Sequence, residues 1–461
     1  MTSRHTVAQV SILFAFLAGP PACQAQEALT LEQAVAEATD RYPATRAAKE
    51  DVSSAAAAIH LARTAYLPSA TLFGQANRAT RNNVFGMLLP QSQVASISGP
   101  VLAGTDMNSV WGSAVSFLVS WEPFDLGLRR ANVELAEAGR RRAMAAADRT
   151  RFEVGASTAA AFLTVLAAEQ TAVAAKAGVE RSRVLAGIVD SLVRAQLRPG
   201  ADASRARAEL AAAENQLIQA EQAIQVAKAA LGQYVDRRPS DLNVSSGRLL
   251  DLPGDTLSSE SATNRHPQAI EQESVVQQAQ AADRAIARSY VPRFSLQAAS
   301  YARGTGAMTN GDRLGGLSGL GPNIFNWGLG VSVSFPIMDL PAVRARRDVE
   351  KHRELAETAR LDQIRRELSA QVEKARAELE GARRIARNTP VQLEAARAAD
   401  QQATARYQAG LGTLVEVAEA QRLVTQAEID DSLARLNVWR ALLSIAVAAG
   451  DITAFVRQAA K

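Results

Sequence analysis

The chain has 461 residues, 47% of them hydrophobic but only 5% aromatic, with 51 Lys+Arg against 47 Asp+Glu. Its length would ordinarily mean two or more domains, and its Ala-rich, aromatic-poor make-up suits long, closely packed helices better than a bulky globular core. The slight basic excess says little about partners, and basic runs such as RARRDVEKHRE at 344–354 carry acids at helical spacing and read as a solvated helix face rather than a nucleic-acid contact.

Residues 1–25 read as a signal peptide: Arg4 and His5 precede an apolar run from Val7 to Ala18, then Gly19, Pro20 and Pro21. That run is too short to span a bilayer. Cleavage after Ala25 would discard the only cysteine, Cys23; its alternative, a lipid-modified Cys23, is preceded by the poor lipobox GPPA. Either way the chain is exported without disulfides, so packing must stabilise it. Beyond the signal no run reaches the ~18 consecutive apolar residues of a membrane helix. An exported chain of this kind is periplasmic, secreted, or an outer-membrane β-barrel.

The mature sequence is written twice. RYPATRAAKEDVSSAAAAIHLARTAYLPSATLFGQ at 41–75 realigns on RHPQAIEQESVVQQAQAADRAIARSYVPRFSLQAA at 265–299, with Pro43 on Pro267 and Tyr66-Leu67-Pro68 on Tyr290-Val291-Pro292. Further on, Asp125 falls on Asp339 and Asp202 on Glu416, so the copies differ mainly in loop length. The first repeat is expected at 26–240, with a helix, a strand-loop-strand segment at 66–124 and a helical hairpin at 126–236. A linker at 241–262 leads to the second repeat at 263–461, with strand-loop-strand at 290–338 and hairpin at 342–450.

In each repeat a helix of about 25 residues begins at Pro43 or Pro267, since Pro is tolerated in a first turn, and ends before Tyr-x-Pro. Two strands follow. In SAVSFLVSW at 113–121 and WGLGVSVSF at 327–335, large apolar residues alternate with small or polar ones. That period of two fits a lipid-facing and a lumen-facing side, or else a soluble sandwich strand. Trp111, Phe117, Trp121, Phe325, Trp327 and Phe335 are the candidate membrane-facing aromatics. Segments 79–108 and 302–324 read as outside loops.

The pattern then turns helical. Leu126 to Gln196 contains no stop signal and would reach ~105 Å at 1.5 Å per residue. Its copy, Ala342 to Ala409, is nearly as long, with a kink or interruption expected at Pro390. Returning helices carry heptad seams: Leu210, Ala213, Leu217, Ala220, Ile224, Ala227, Leu231 and Tyr234 in the first, Val424 through Asp431 to Ala448 in the second. The first hairpin turns at Pro199-Gly200 with Asp202 as a candidate N-cap. The second breaks at Gly410 and Gly412 and restarts with Thr413 and Glu416 as a capping box.

Two repeats supply four strands. Open strands cannot stand in hydrocarbon, where unpaired backbone groups find no water, and four are too few to close a barrel. Chains must therefore pool strands if these enter a membrane: eight from two copies, twelve from three, sixteen from four. The helices would continue as a tube beneath. Such an object is a conduit.

LTLEQAVAEA near the start, the paired Tyr-x-Pro entries, WEPFDLGLRRA and FPIMD at the strand exits, the duplication and YQAGLGTLVEVAEA at the tip together resemble the TolC-like outer membrane efflux protein family. The resemblance covers essentially the whole mature chain. It implies a homotrimer, an α plus membrane β fold with a twelve-stranded outer-membrane barrel, four strands per chain, continued by an α-helical tunnel into the periplasm. The implied function is the exit duct of a tripartite efflux or type I secretion system, fed by an inner-membrane pump and a periplasmic adaptor.

By the same resemblance, Arg198, Pro199, Gly200, Tyr407, Gly410, Leu411, Gly412 and Thr413 are expected at the adaptor contact. Glu416 and Glu419 match a carboxylate pair that rings the closed periplasmic entrance in the family's best-known member. An i, i+3 pair shares one helix face, so three copies would gather six carboxylates in a water-filled mouth that attracts cations. The plainer alternative is that Glu416 caps its helix and Glu419 favours the positive end of the dipole. Gly412 stands where that member has a latching Arg, whereas Tyr407 matches a latch residue that is kept.

No enzyme signature emerges. His60, His266 and His352 lie apart without metal spacing, the Gly-rich 304–321 stretch lacks a phosphate-loop ending, and no nucleophile elbow occurs. No catalytic residue, metal or cofactor is expected. The rival reading is a soluble periplasmic coiled-coil adaptor, which has one hairpin between β-rich halves.

Overall fold

The computed structural model describes residues 28–80, 104–254, 265–308, 310 and 312–460. The expected signal peptide, with Cys23, and much of the first outside loop lie outside the described residues.

Helices α1 (Leu31–Arg41) and α2 (Pro43–Thr64) lead to strands β1 (Ser69–Thr80) and β2 (Ser109–Phe124), then to α3 (Leu128–Arg194) and α4 (Gly200–Val235). The order recurs as α5 (Pro267–Ala287), β3 (Arg293–Thr305), β4 (Ile324–Ser334), α6 (Leu340–Gln408) and α7 (Leu414–Ala449), followed by α8 (Thr453–Ala460). Pro43 and Pro267 each occupy the first turn of their helix. At 67 and 69 residues, α3 and α6 are each ~100 Å long.

The four strands form one antiparallel sheet in the order β1-β2-β3-β4, so β1 and β4 are its edges. Each Tyr-x-Pro tyrosine packs where its repeat leaves the sheet. Trp121 Nε1 donates to the Tyr66 carbonyl at 3.1 Å, and buried Arg129 lies over the Tyr66 ring at 5.6 Å while pairing with Glu122 at 3.6 Å. In the second repeat the Tyr290 ring meets Phe335 at 5.0 Å and its hydroxyl donates to the Ile337 carbonyl at 3.3 Å. Asp125 accepts the backbone N–H groups of Gly127 and Arg129, which starts α3.

The long helices lie side by side as α4–α3–α7–α6. Both heptad seams are covered along their length, and the α7 seam is the deeper because α7 also packs on α3. Asp431, a carboxylate within that seam, is matched by Thr389 of α6 at 3.1 Å and Arg435 at 2.9 Å. The interruption expected at Pro390 does not occur, and α6 runs through it. Pro390 is exposed, whereas Ala386, Thr389 and Ala396 on either side stay buried, so the ring sits on the solvent side and the seam holds both flanks of the lost bond.

Midway along the hairpins, α1, α8 and residues 242–250 pack on α3, α4 and α7 in the largest core, around Phe162, Leu166, Leu231, Trp439 and Phe455. Val244 bridges Leu29 in parallel, and Trp439 Nε1 donates to the Asp251 carbonyl at 2.9 Å. Stretches of α3 and α7 are apolar enough in composition to cross a bilayer, although neither is an unbroken apolar run; half of each is buried inside this packing. The outer flanks remain bare: Ile218 and Val226 on α4, and Val349, Ile385 and Val391 on α6, are exposed.

His266 ties the start of α5 to the end of α7. It is buried, its Nδ1 accepts the Gln268 N–H at 3.2 Å as the cap of α5, and Nε2 lies 3.2 Å from the Val447 carbonyl, which fixes the neutral tautomer with hydrogen on Nε2. Burial is the main cause that holds its pKa below the ordinary 6.5, with nearby Arg149 acting in the same direction. Below that ordinary value the unfolded chain takes up a proton that the native imidazole refuses, so stability falls as pH falls. The thermal midpoint of helical circular dichroism should drop from neutral to mildly acidic pH. His266→Ala should flatten this dependence and cost about 1 kcal/mol through the lost cap.

Candidate functional site

At the hairpin tips all four long helices meet. Leu185 and Val189 of α3, Ala203 and Ala206 of α4, Tyr407 of α6, and Leu414 and Val417 of α7 form one small core. Tyr407, grouped above with the adaptor contacts, is 1% exposed and cannot reach a partner's surface while this core is closed. Its hydroxyl donates to Asp202 Oδ2 at 3.4 Å, and Arg198 stacks on its ring at 4.4 Å and donates to its carbonyl at 2.8 Å. Burial first, then the Asp202 charge, raise the Tyr407 pKa, so its hydroxyl remains a donor. The clamp joins the two hairpins.

Asp202 takes this role because α4 starts earlier than expected. Pro199 is the N-cap, which places Asp202 in the first helical turn with its carboxylate free for Tyr407. Thr413 does cap α7, accepting the Glu416 N–H at 3.4 Å. The expected capping box is only half made, since the Glu416 carboxylate accepts the Thr413 hydroxyl at 3.3 Å. Gly410, at φ +79°, supplies the left-handed residue that ends α6.

The turn residues themselves are bare. Pro199, Gly200, Gly410 and Thr413 are exposed, Gly412 is half-buried, and the apical leucines Leu197 and Leu411 are 69% and 74% exposed. Leu411 occupies in the second repeat the place of Leu197 in the first. A Cβ on Gly412 would stand 3.2 Å from the Tyr407 nitrogen, so Arg198, arriving from the other hairpin, covers Tyr407 where this loop carries no side chain.

Glu416 and Glu419 both project from α7 into solvent. Arg422, one further step of three along the same face, pairs with Glu419. Sequence reasoning passed over Arg422, although Glu-x-x-Arg was legible as a helical ion pair.

The sheet has two unlike faces. Residues directly opposite in an antiparallel register share a face. One face therefore holds Leu72, Trp111, Val115, Phe117, Val119, Trp121, Leu296, Phe325, Trp327, Leu329, Val331 and Val333. Gln75, Asn77, Ser116, Ser120, Gln297, Tyr301, Arg303 and Asn326 lie on the other. Phe325 and Trp327 are each 79% exposed. Trp111 is half-buried beneath Arg78, whose guanidinium lies 5.4 Å from its ring. Phe335 falls just past β4 and packs on Tyr290 at the exit from the sheet. Among the described residues no cluster of His, Cys, Asp and Glu could hold a metal ion.

The sequence profile described as "Outer membrane efflux protein" matches residues 34–235 and 259–451. Among curated protein sequences none matches the chain. In structure the chain is similar to the Campylobacter jejuni CmeC outer membrane channel, with TM-score 0.74 at 15% identity over 94% of this chain and 89% of that one. It is also similar to the Vibrio cholerae outer membrane protein VceC, with TM-score 0.71 at 16% identity over 91% and 96% of the two chains. The open state of the Neisseria gonorrhoeae MtrE outer membrane channel gives TM-score 0.67 at 19% identity over 91% and 89%.

Removing one part of the tip clamp should loosen both hairpins together. Tyr407→Phe and Arg198→Ala should each cost about 1 kcal/mol and speed amide hydrogen exchange in 195–204 and 405–413. Because both act through one side chain, the double variant should lose less than the sum of the singles.

Proposed function

Because the chain belongs to the outer membrane efflux protein family, and is an exit duct of that membrane extending into the periplasm, we propose that three copies close a single twelve-stranded barrel over a shared helical tunnel. The observation that carries this reading is the sheet: four strands, both edges open among the described residues, and one face dominated by large apolar side chains, with Arg78 and Ser113 at its far end. Unpaired backbone groups cost several kcal/mol each in hydrocarbon, so β4 of one copy must pair with β1 of the next. The bare apolar flanks of α4 and α6 are the helical counterpart of those edges. The apolar face meets lipid, with Trp111, Phe117, Trp121, Phe325 and Trp327 in its aromatic surface, and the polar face lines the lumen.

At the periplasmic end, Leu197 and Leu411 with the turn residues between Arg198 and Thr413 form the docking surface for an adaptor of an inner-membrane pump. Tyr407 acts from inside, and Arg198 replaces the latch that Gly412 lacks. We assign the chain no catalytic role: it conducts, and the pump selects. Nothing in two hairpins joined to a four-stranded sheet supports the soluble-adaptor alternative.

Three copies bring Glu416 and Glu419 to the entrance as six carboxylates, of which Arg422 offsets three. Glu416 also buttresses its own helix through Thr413. In planar bilayers, Glu416→Gln with Glu419→Gln should weaken block by multivalent cations, whereas Arg422→Ala should strengthen it. Unchanged block in both variants would remove the ring from the account. Light scattering of the detergent-solubilised protein should return the mass of three chains. A mass of one, two or four would overturn the barrel stoichiometry.

A further inference from the structure

On the apolar face of the sheet, β3 is the strand of small residues. Ala298 lies between Val119 of β2 and Leu329 of β4, Ser300 between Phe117 and Trp327, and Ala302 between Val115 and Phe325. Three successive small residues, each flanked on both sides by a bulky one, make a furrow that follows β3. At its helix end the furrow widens into an open hollow of about 590 Å³ whose lining includes Pro68, Val119, Trp121, Ala298, Leu329 and Val331. The lining is almost wholly apolar. Trp121 is held in its wall by the bond from Nε1 to the Tyr66 carbonyl.

From this geometry we infer that the furrow is a seat for one acyl chain of a phospholipid. The inference rests on the barrel reading above, in which this face meets the membrane. The furrow runs over β3, inside the sheet, so closure of a barrel through β1 and β4 leaves it uncovered. At that depth the material available to fill it is hydrocarbon, and its width, a single strand between two rows of large side chains, suits a single extended chain. An unfilled furrow would forfeit dispersion contacts along both walls. The hollow sits at the end of the sheet where Pro68, Trp121 and Leu296 adjoin the helices, which is the periplasmic leaflet in the proposed orientation. The headgroup therefore lies near the Tyr66–Trp121 junction.

The test uses the purified full-length protein in detergent and phosphatidylethanolamine whose acyl chains carry bromine, a short-range quencher of tryptophan emission. Two backgrounds are compared: Trp111→Phe/Trp327→Phe, which keeps Trp121 in the furrow wall, and Trp121→Phe/Trp327→Phe, which keeps Trp111 on the same face beyond the far end of the furrow. Trp439, buried in the central core, is common to both. The expected result is saturable quenching of Trp121 at a single lipid per chain, with Trp111 quenched only in proportion to the lipid fraction. Ala298→Phe, which fills the hollow, should abolish the saturable component, while Ala76→Phe on β1 of the same face should leave it intact. Proportional quenching of Trp121, unaltered by Ala298→Phe, would overturn the seat and leave the barrel standing. Absence of quenching at both tryptophans would overturn the barrel reading itself. Should Ala298→Phe fail to assemble, Ala298→Leu carries the same expectation of a diminished saturable component.

Discussion

Four strands with two open edges are the constraint on which the rest of this molecule turns. Along β1 and β4 a row of backbone N–H and C=O groups faces outward with no strand beside it among the described residues. Water could satisfy such groups, but hydrocarbon cannot. The apolar face formed by Val115, Phe117, Val119, Leu329 and Val331 assigns the sheet to hydrocarbon, so the edges demand further copies. The helices inherit the demand. They form a layer whose inner members, α3 and α7, pack on a helix at either side, while the outer members, α4 and α6, bury one seam and leave Ile218, Val226, Val349, Ile385 and Val391 exposed.

Duplication supplies the parts, but the two copies do unequal work. The seam of α7 is deeper than that of α4 because α7 has a helix on either side, whereas α4 stands at the edge of the layer. The same inequality explains Asp431. A carboxylate at a seam position costs heavily without partners, and the position tolerates it because Thr389 and Arg435 both reach it. Such a matched polar pair in an otherwise apolar seam also resists slippage of α6 against α7, since any shift in register would strand the charge.

The tip joins mechanics to electrostatics within a few residues. Tyr407 is the hub: its ring carries Arg198, its hydroxyl reaches Asp202, and its neighbours come from all four long helices. One side chain thus couples the two hairpins, and the turns outside it stay exposed. Glu416, Glu419 and Arg422 lie on the exposed side of the same turn, so a change in hairpin spacing also changes the spacing of charge.

Much of this was legible in the chain itself. Period two with unlike faces, period three and a half with alternating large and small residues, Pro at first turns and Gly at hairpin ends are local rules that can be read from neighbouring residues alone. The strand count followed from the duplication. What escaped was settled by contacts distant in sequence. Whether Pro390 breaks α6 depends on whether the helix is held on both sides of the lost bond, and the seam with α7 decides that. Whether Tyr407 faces a partner or a core depends on Arg198 and Asp202, some two hundred residues earlier. The cross-strand register alone lines up Ala298, Ser300 and Ala302 between bulky neighbours. Sequence patterns report which face a residue prefers, and only the folded chain decides what stands opposite it.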